Sequence, residues 1–153
     1  MERRALVDKL LELTELHAGE IAERWYKSVS TNPRTPSYRS LPKEKPVLRA
    51  TSLYKNLKQM YFSDNPYQEV LQFLEGRGYV ESLQADGIPL HEAIYALVMM
   101  RRHIWLYAEL QALFTTPMDM YQATEGINRT LLLFDYAAYI IAQKYQKPNR
   151  STV

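Results

Sequence analysis

Cysteine is absent from this 153-residue chain, and glycine is scarce, with five residues. Without cysteine there is no disulfide framework, no thiolate metal site and no cysteine nucleophile. The strict alternation of apolar and polar residues that marks half-buried strands is also missing. These absences exclude disulfide scaffolds and cysteine chemistry, and they favour an all-helical protein.

Long apolar runs are missing as well. No stretch reaches the roughly 20 apolar residues that a membrane-spanning helix needs. Charged residues interrupt the N-terminal segment MERRALVDKLLELTEL, which is therefore not typical of a signal peptide. The hydrophobic content of 46% is still high enough for a folded core. We expect a soluble, cytoplasmic single domain over 1–153, with a core at 5–146 and a polar tail at 147–153.

The net charge of +2 is unevenly distributed along the chain. Residues 1–58 hold twelve lysines and arginines against seven acidic residues, whereas residues 59–125 hold three against nine. A basic strip from Lys27 to Lys58 can bind phosphate backbones. Because it lacks any motif that reads bases, a solvated surface is the favoured interpretation, and a basic adaptor for nucleic acid is an alternative.

Apolar residues at steps of three and four predict an all-α bundle of five to six helices. The first helix is expected over 2–30, and a proline-rich loop is expected over 31–46. Gly76 and Gly78 shorten or bend the third helix, and Gly87 ends it. Proline in a first turn indicates where helices begin. The start signals are Pro46, Asn65-Pro66, Pro89 and Pro117.

The helix expected over Leu90–Phe114 is apolar on nearly every side. Such a helix lies at the centre of a bundle or in an oligomer interface. Arg101 lies in the middle of one apolar face and His103 in the middle of the other. Trp105 follows Arg101 by four residues, a spacing that permits contact between a guanidinium and an indole ring. We predict that Arg101 is structural and at least half-buried.

The last helix, expected over Met118–Tyr145, carries apolar residues beyond its core face. More apolar surface is present than one small bundle can hide, which predicts a homodimer built from the last two helices. Asp135 is the one carboxylate expected to be partly buried, and Arg101 can pair with it. A backbone carbonyl and the ring of Trp105 are the alternative partners of Arg101. The apolar residues off the core face are Leu132, Leu133, Tyr136 and Ile140.

No pattern typical of catalysis or of metal binding is present. The sequence has neither a nucleophilic serine elbow nor a phosphate-binding glycine loop. Its histidines lack a glutamate three positions earlier, which excludes the Glu-x-x-His pairs of a di-iron bundle. We therefore expect no enzyme activity, no metal and no cofactor. His91 is expected to be exposed and His17 to be a hydrogen-bonded core residue, while His103 is expected to face a partner; a ligand role for His17 or His103 stays open.

Three segments resemble the N-terminal sensory domain of the RsbR-type stressosome proteins, the RsbT co-antagonist family. They are HAGEIAERWYKSV at 17–29, ESLQADGIPLHEAIYALVMMRRHIW at 81–105 and FDYAAYIIAQKY at 134–145. The resemblance covers 6–145, and it implies a globin-like fold without haem, a homodimer and a role in bacterial stress signalling. The chain is then a non-enzymatic sensor domain that passes a conformational signal along its last helix to an output module or partner protein, in response to an unidentified small ligand.

A haem- or tetrapyrrole-binding gas sensor is the alternative that a globin-like fold raises. Globin-type sensors resemble this chain around Gly87, where a His-x-x-Ile-Gly pattern supplies the iron ligand. Leu83 stands four residues before Gly87, and its neighbours Gln84 and Ala85 also lack the imidazole nitrogen that iron requires. We therefore expect that no haem is bound.

Overall fold

The computed structural model describes the backbone of residues 2–110 and 116–146, the side chains of 8–108 and most side chains of 116–146. Within these residues the chain forms seven α-helices and one 3₁₀ turn, with no strand. The elements are α1 (Glu2–Leu16), α2 (Ala18–Thr31), the 3₁₀ turn (Pro36–Tyr38), α3 (Glu44–Tyr61), α4 (Pro66–Gly76), α5 (Tyr79–Ala85), α6 (Leu90–Leu110) and α7 (Pro117–Gln146). The all-α prediction is confirmed, whereas the predicted polar tail at 147–153 lies outside the described residues.

The single helix predicted over 2–30 is wrong, because the chain forms two helices that meet at His17. The His17 backbone has φ −109° and ψ 25°, away from helical values. Its amide still donates to Leu13 at 3.0 Å and its carbonyl accepts from Ile21 at 2.9 Å. This break leaves the His17 ring partly exposed beside Glu20, at 3.7 Å. The prediction of a core histidine is therefore wrong as well.

Two short helices stand where one short or bent helix was predicted. The Asn65 side chain accepts the Gln68 amide at 3.2 Å, so it caps α4 directly before Pro66. Gly78 then adopts a left-handed conformation with φ 59° and precedes α5. Since side chains disfavour that conformation, glycine permits the sharp turn between α4 and α5.

Helix α6 lies at the centre of the bundle, where it packs against α1, α2 and α7. Its all-round apolar character allowed a place at the centre of the bundle or in an oligomer interface. The central place accounts for most of both apolar faces, because other helices of the same chain cover them. The side chains that α6 buries are Ala93, Ala96, Leu97, Met99, Met100, Ile104, Tyr107 and Ala108.

Two buried aromatic side chains fix the position of α6 against its neighbours. The indole nitrogen of Trp25, on α2, donates to the carbonyl of Ala96 at 2.9 Å. The hydroxyl of Tyr54, on α3, donates to the carbonyl of Met100 at 2.7 Å. Because each donor reaches one particular carbonyl, these bonds set the register of α2 and α3 along α6.

The core face of α7 differs from the predicted stripe. Leu133 and Ile140 were expected off this face but are buried, whereas Met120, near the start of the helix, is exposed. The reason is that α7 packs against α1, α4 and α6 together and so buries a wider arc than one stripe. The other buried residues of α7 are Thr130, Phe134, Ala137 and Ile141.

The predicted loop at 31–46 contains an ordered and buried element. Tyr38, at the end of the 3₁₀ turn, is fully buried and packs edge-on against Trp25. The amide and hydroxyl of Ser37 donate to the carboxylate of Glu92 at 2.8 and 2.7 Å. Glu92 is itself buried near the start of α6, so it anchors this turn to the central helix.

A helix that crosses a membrane must be both long and apolar. No helix in the described part of the chain combines the length and the apolar character that crossing a bilayer requires.

Candidate functional site

Arg101 and Asp135 face each other between α6 and α7. The distance from Arg101 Nη1 to Asp135 Oδ1 is 3.6 Å, and the side chains are 35% and 62% exposed. The structure thus brings Arg101 and Asp135 together. Arg101 is more than half-buried, as predicted. The predicted partial burial of Asp135 is wrong, since Asp135 lies opposite the core face of α7. An exposed ion pair of this kind stabilises a protein by about 0–1 kcal/mol.

Partly exposed apolar side chains surround this ion pair. Leu132 and Tyr139 lie one turn to either side of Asp135 on α7 and are 46% and 57% exposed. On α6, Val98 and Trp105 flank Arg101 at the same helical spacing and are partly exposed. We call this surface the α6–α7 face; it consists of Val98, Arg101, Trp105, Leu132, Asp135 and Tyr139.

Two of the predicted interface residues on α7 do not belong to the α6–α7 face. Ile140 is only 1% exposed, so its predicted place at an interface is wrong. It lies on the side of α7 that packs into the bundle. The ring of Tyr136 packs edge-on against Tyr67 of α4, with the centroids 5.2 Å apart. Both side chains therefore hold α7 in its own bundle.

His103 lies on the side of α6 that faces α2. Its Nε2 is 3.0 Å from the hydroxyl of Ser28, so the predicted partner-facing ring instead contacts its own chain. Burial lowers the pKa of His103, and the positive charges of Arg102 and Arg24 lower it further. In the described part of the chain, no three histidine, aspartate or glutamate side chains come close enough to hold a metal ion.

A second polar cluster joins the far end of α6 to α2. The hydroxyl of Tyr107 donates to Glu20 Oε2 at 2.8 Å, and Arg24 donates to Glu20 Oε1 at 3.2 Å. The hydrogen bond from Tyr107 lowers the pKa of Glu20. His17 contributes its ring, whose centroid is 5.4 Å from that of Tyr107. These contacts hold the junction of α1 and α2 against α6.

Sequence reasoning missed a buried charge cluster between α3 and the turn before α6. Arg49 Nη1 donates to Asp86 Oδ2 at 2.6 Å and to Ser82 Oγ at 2.9 Å. Lys45 Nζ donates to Asp86 Oδ1 at 2.9 Å. Arg49 is 10% exposed and Asp86 is 8% exposed. Burial raises the pKa of Asp86, but the hydrogen bonds from Lys45 and Arg49 more than offset this effect and lower the pKa below its ordinary value.

One side-chain nitrogen of Arg49, Nη2, makes no hydrogen bond with the described residues. This nitrogen is also shielded from solvent. A buried donor without a partner costs about 1–3 kcal/mol, and a charged donor costs more. Arg49 also lines a pocket of about 260 Å³. The residues around this pocket are Lys45, Leu48, Arg49, Ser52, Arg77, Tyr79 and Ser82.

Carboxylates from other helices partly neutralise the basic strip of residues 27–58. Lys43 pairs with Glu23 at 3.0 Å, and Lys58 pairs with Glu12 at 3.0 Å. Two further cations of the strip belong to the Asp86 cluster. Because these pairs reduce the positive charge that a phosphate backbone would meet, the geometry favours a solvated surface over a nucleic-acid site.

Comparison with protein-family models, with curated proteins and with solved structures finds no match for this chain. The described residues define an all-α helical protein with a central helix, α6, and a partly apolar face on α6 and α7. The resemblance to RsbR-type sensory domains stays a prediction.

Proposed function

We propose that this chain is a non-enzymatic signal-input domain, globin-like but without haem, that acts as a homodimer. It passes a conformational change along α7 to an output module or a partner protein. The observation that carries the proposal is the α6–α7 face, where Leu132 and Tyr139 remain 46% and 57% exposed beside an ion pair. Apolar side chains grouped in this way are typical of protein–protein contact.

A second copy of the chain fits the charges of the α6–α7 face. In a two-fold symmetric interface, both protomers use the same surface. If one residue of the first protomer contacts a second residue of its partner, the symmetry repeats that contact in reverse. Arg101 of one copy can then approach Asp135 of the second copy, and the reverse contact follows by symmetry. The 3.6 Å separation within one chain is loose for an ion pair, so both groups are able to make the additional contact.

Helix α7 has the position and length that signal transfer requires. It contains 30 residues and is therefore about 45 Å long. The same helix contributes Asp135 to the α6–α7 face and packs against α1, α4 and α6. A change in the packing of two protomers would shift this helix relative to its own bundle, which is a known type of signalling transition.

The position of Leu83 supports the haem-free form of this proposal. Globin-type gas sensors place their iron-binding histidine four residues before the glycine that corresponds to Gly87. Here Leu83 is buried in the core at that position, and its alkyl side chain offers no donor atom to iron. His91, beyond the glycine, is exposed.

The dimer is tested by light scattering of wild-type protein, Leu132→Lys and Leu16→Lys. We expect wild type and Leu16→Lys to give the dimer mass at micromolar concentration, because Leu16 is exposed at the end of α1 and is not part of the α6–α7 face. Leu132→Lys places a charge inside the proposed interface and should raise the dimer Kd by about 100-fold, through a loss of about 2–3 kcal/mol. A monomer mass for the wild type at high micromolar concentration, or equal weakening by both substitutions, would overturn the proposal.

A further inference from the structure

We infer that the pocket between α3 and the α4–α5 segment binds a small oxyanion, either a phosphate or a carboxylate group. The site rests on the geometry around Arg49 and is independent of the dimer. Only its effect on signalling rests on the function proposed above.

The pocket carries an excess of positive charge. Lys45, Arg49 and Arg77 line it, whereas Asp86 is the carboxylate bonded to two of them. The Arg77 guanidinium also lies 4.7 Å from the centroid of the Phe73 ring, a contact that limits the freedom of this side chain. Charged nitrogen donors of this kind make the strong, short hydrogen bonds by which proteins hold oxyanions.

Neutral donors supplement these cations. Ser52, Tyr79 and Ser82, which also line the pocket, have side chains with a hydroxyl group. The Ser82 oxygen already accepts from Arg49 at 2.9 Å, so its own proton is oriented away from Arg49 and can be donated elsewhere. A ligand with several oxygen acceptors would meet both charged and neutral donors here.

The second and independent observation is the unused nitrogen of Arg49. This side chain is nine-tenths buried, yet its Nη2 meets no acceptor among the described residues. Its other terminal nitrogen is fully used by Asp86 and Ser82. An oxyanion would provide the missing acceptor once the guanidinium turns Nη2 toward the pocket, because charged nitrogen donors make strong hydrogen bonds with such ligands.

The volume of the pocket limits the size of the ligand. About 260 Å³ corresponds to roughly eight or nine water molecules at 30 Å³ each. This is room for a phosphate or carboxylate with a short carbon substituent, and Leu48 and Tyr79 supply an apolar wall for it. It is smaller than the pockets that enclose large cofactors.

The site is connected to the central helix through Asp86. This residue directly precedes Gly87, whose φ of 75° makes the turn into α6. An anion at Arg49 and Lys45 competes with Asp86 for the same donors. Binding would therefore loosen the contact that holds the start of α6 to α3, which gives the ligand a route to α6 and α7.

Binding is tested by titrating the intact protein with inorganic phosphate and with sodium acetate, at constant ionic strength maintained with chloride. The largest amide NMR shifts should fall in residues 45–52 and 77–87, with saturation by roughly 10 mM if the Kd is about 1 mM. A response to phosphate alone assigns a phosphate ligand, and a response to acetate alone assigns a carboxylate. The inference is overturned if neither anion gives saturable shifts, or if shifts spread equally over all basic surfaces.

Substitutions distinguish a built site from general surface charge. Arg77→Met removes an exposed cation and should weaken anion binding about tenfold without unfolding the chain. Asp86→Asn removes the competing carboxylate and should strengthen binding by about threefold or more. Arg34→Met, a matched loss of charge on the exposed part of the loop, should leave the affinity within about twofold. If Arg34→Met and Arg77→Met weaken binding equally, the site is refuted.

These outcomes are separate from those of the dimer test. Saturable anion binding by a strictly monomeric protein would keep the site and refute the proposed function. A dimer that binds neither anion would keep the proposed function and refute the anion site. If both properties are present, anion-dependent shifts at α7 in the wild type, but not in Arg77→Met at the same anion concentration, would support the connection between them.

Discussion

At the scale of single residues, the hydrogen-bond donors around a carboxylate determine whether it is buried in the fold. Asp135 lies in an apolar stretch of sequence, yet it is 62% exposed. Among the described residues, the buried carboxylates are instead Glu92 and Asp86, and each accepts hydrogen bonds from a distant segment. Glu92 receives two hydrogen bonds from Ser37, and Asp86 receives charged donors from α3. A buried carboxylate persists where such donors surround it, whatever the hydropathy of its sequence neighbours.

The first prediction concerns His103 and its response to acid. Its pKa is lowered in the folded chain, so the unfolded chain binds the proton more readily. The contribution of His103 to stability is therefore complete above the ordinary histidine pKa of 6.5 and is lost as the pH falls below it. We expect His103→Gln to flatten the decline in unfolding free energy between pH 7 and pH 5, as measured by urea denaturation.

The control for this prediction is His91→Gln, because His91 is exposed at the start of α6. That variant should show the same acid-dependent decline as the wild type. If His103→Gln and the wild type lose stability in parallel over this pH range, the neutral His103–Ser28 contact is not the source of the decline.

At the scale of elements, the turn between α4 and α5 depends on one backbone conformation. Gly76 ends α4, and an added Cβ there meets nothing within 4 Å. Gly78 stands two residues later with φ 59°. The two glycines look alike in the sequence, but an added side chain would strain the backbone only at Gly78. They are therefore a matched pair for substitution.

The second prediction uses this pair. Gly78→Ala should lower the unfolding free energy by about 1–2 kcal/mol, because L-residues are disfavoured in the left-handed conformation. Gly76→Ala should be neutral or stabilise by up to about 1 kcal/mol, because alanine lowers the entropy of the unfolded chain. Equal effects in thermal or urea denaturation would show that the turn does not hold Gly78 in that conformation.

At the scale of the whole molecule, most of α6 is buried by its own bundle, and partly exposed apolar surface remains on α6 and α7. The apolar surplus that predicted a dimer is thus smaller than the sequence indicated, since Leu133 and Ile140 are in the core. The exposed apolar residues beside the Arg101–Asp135 pair form the α6–α7 face, while Met118 and Tyr121 are exposed near the start of α7. The dimer that we propose must therefore be formed by that face rather than by the whole outer surface of α7.

The third prediction compares two positions on α7 that the sequence treated alike. Ile140→Lys should destabilise the fold by at least about 3 kcal/mol, because it removes buried volume and places a charge in the core. Leu132→Lys should keep the wild-type helical circular dichroism, because Leu132 is already 46% exposed. Retention of full helicity and cooperative unfolding by Ile140→Lys would contradict the assigned core face.

Local sequence patterns determined where most helices begin. Asn65-Pro66 caps α4, Pro117 begins α7, and Gly87-Ile88-Pro89 separates α5 from α6, as their residue types predict. These signals succeed because caps and first-turn prolines act within a few residues. The all-round apolar character of α6 likewise predicted its burial, because a helix without a solvent face must be covered on all sides.

Tertiary structure alone decided the partners of the polar groups and the exact core face of α7. Arg49 and Asp86 are 37 positions apart in the chain, and Ser37 and Glu92 are 55 apart, so no local spacing indicates either contact. The break at His17 and the burial of Ile140 likewise depend on neighbouring helices that approach from other parts of the chain. A periodic pattern specifies that one side of a helix is apolar, but the number and direction of the helices packed against it determine how wide the buried arc becomes.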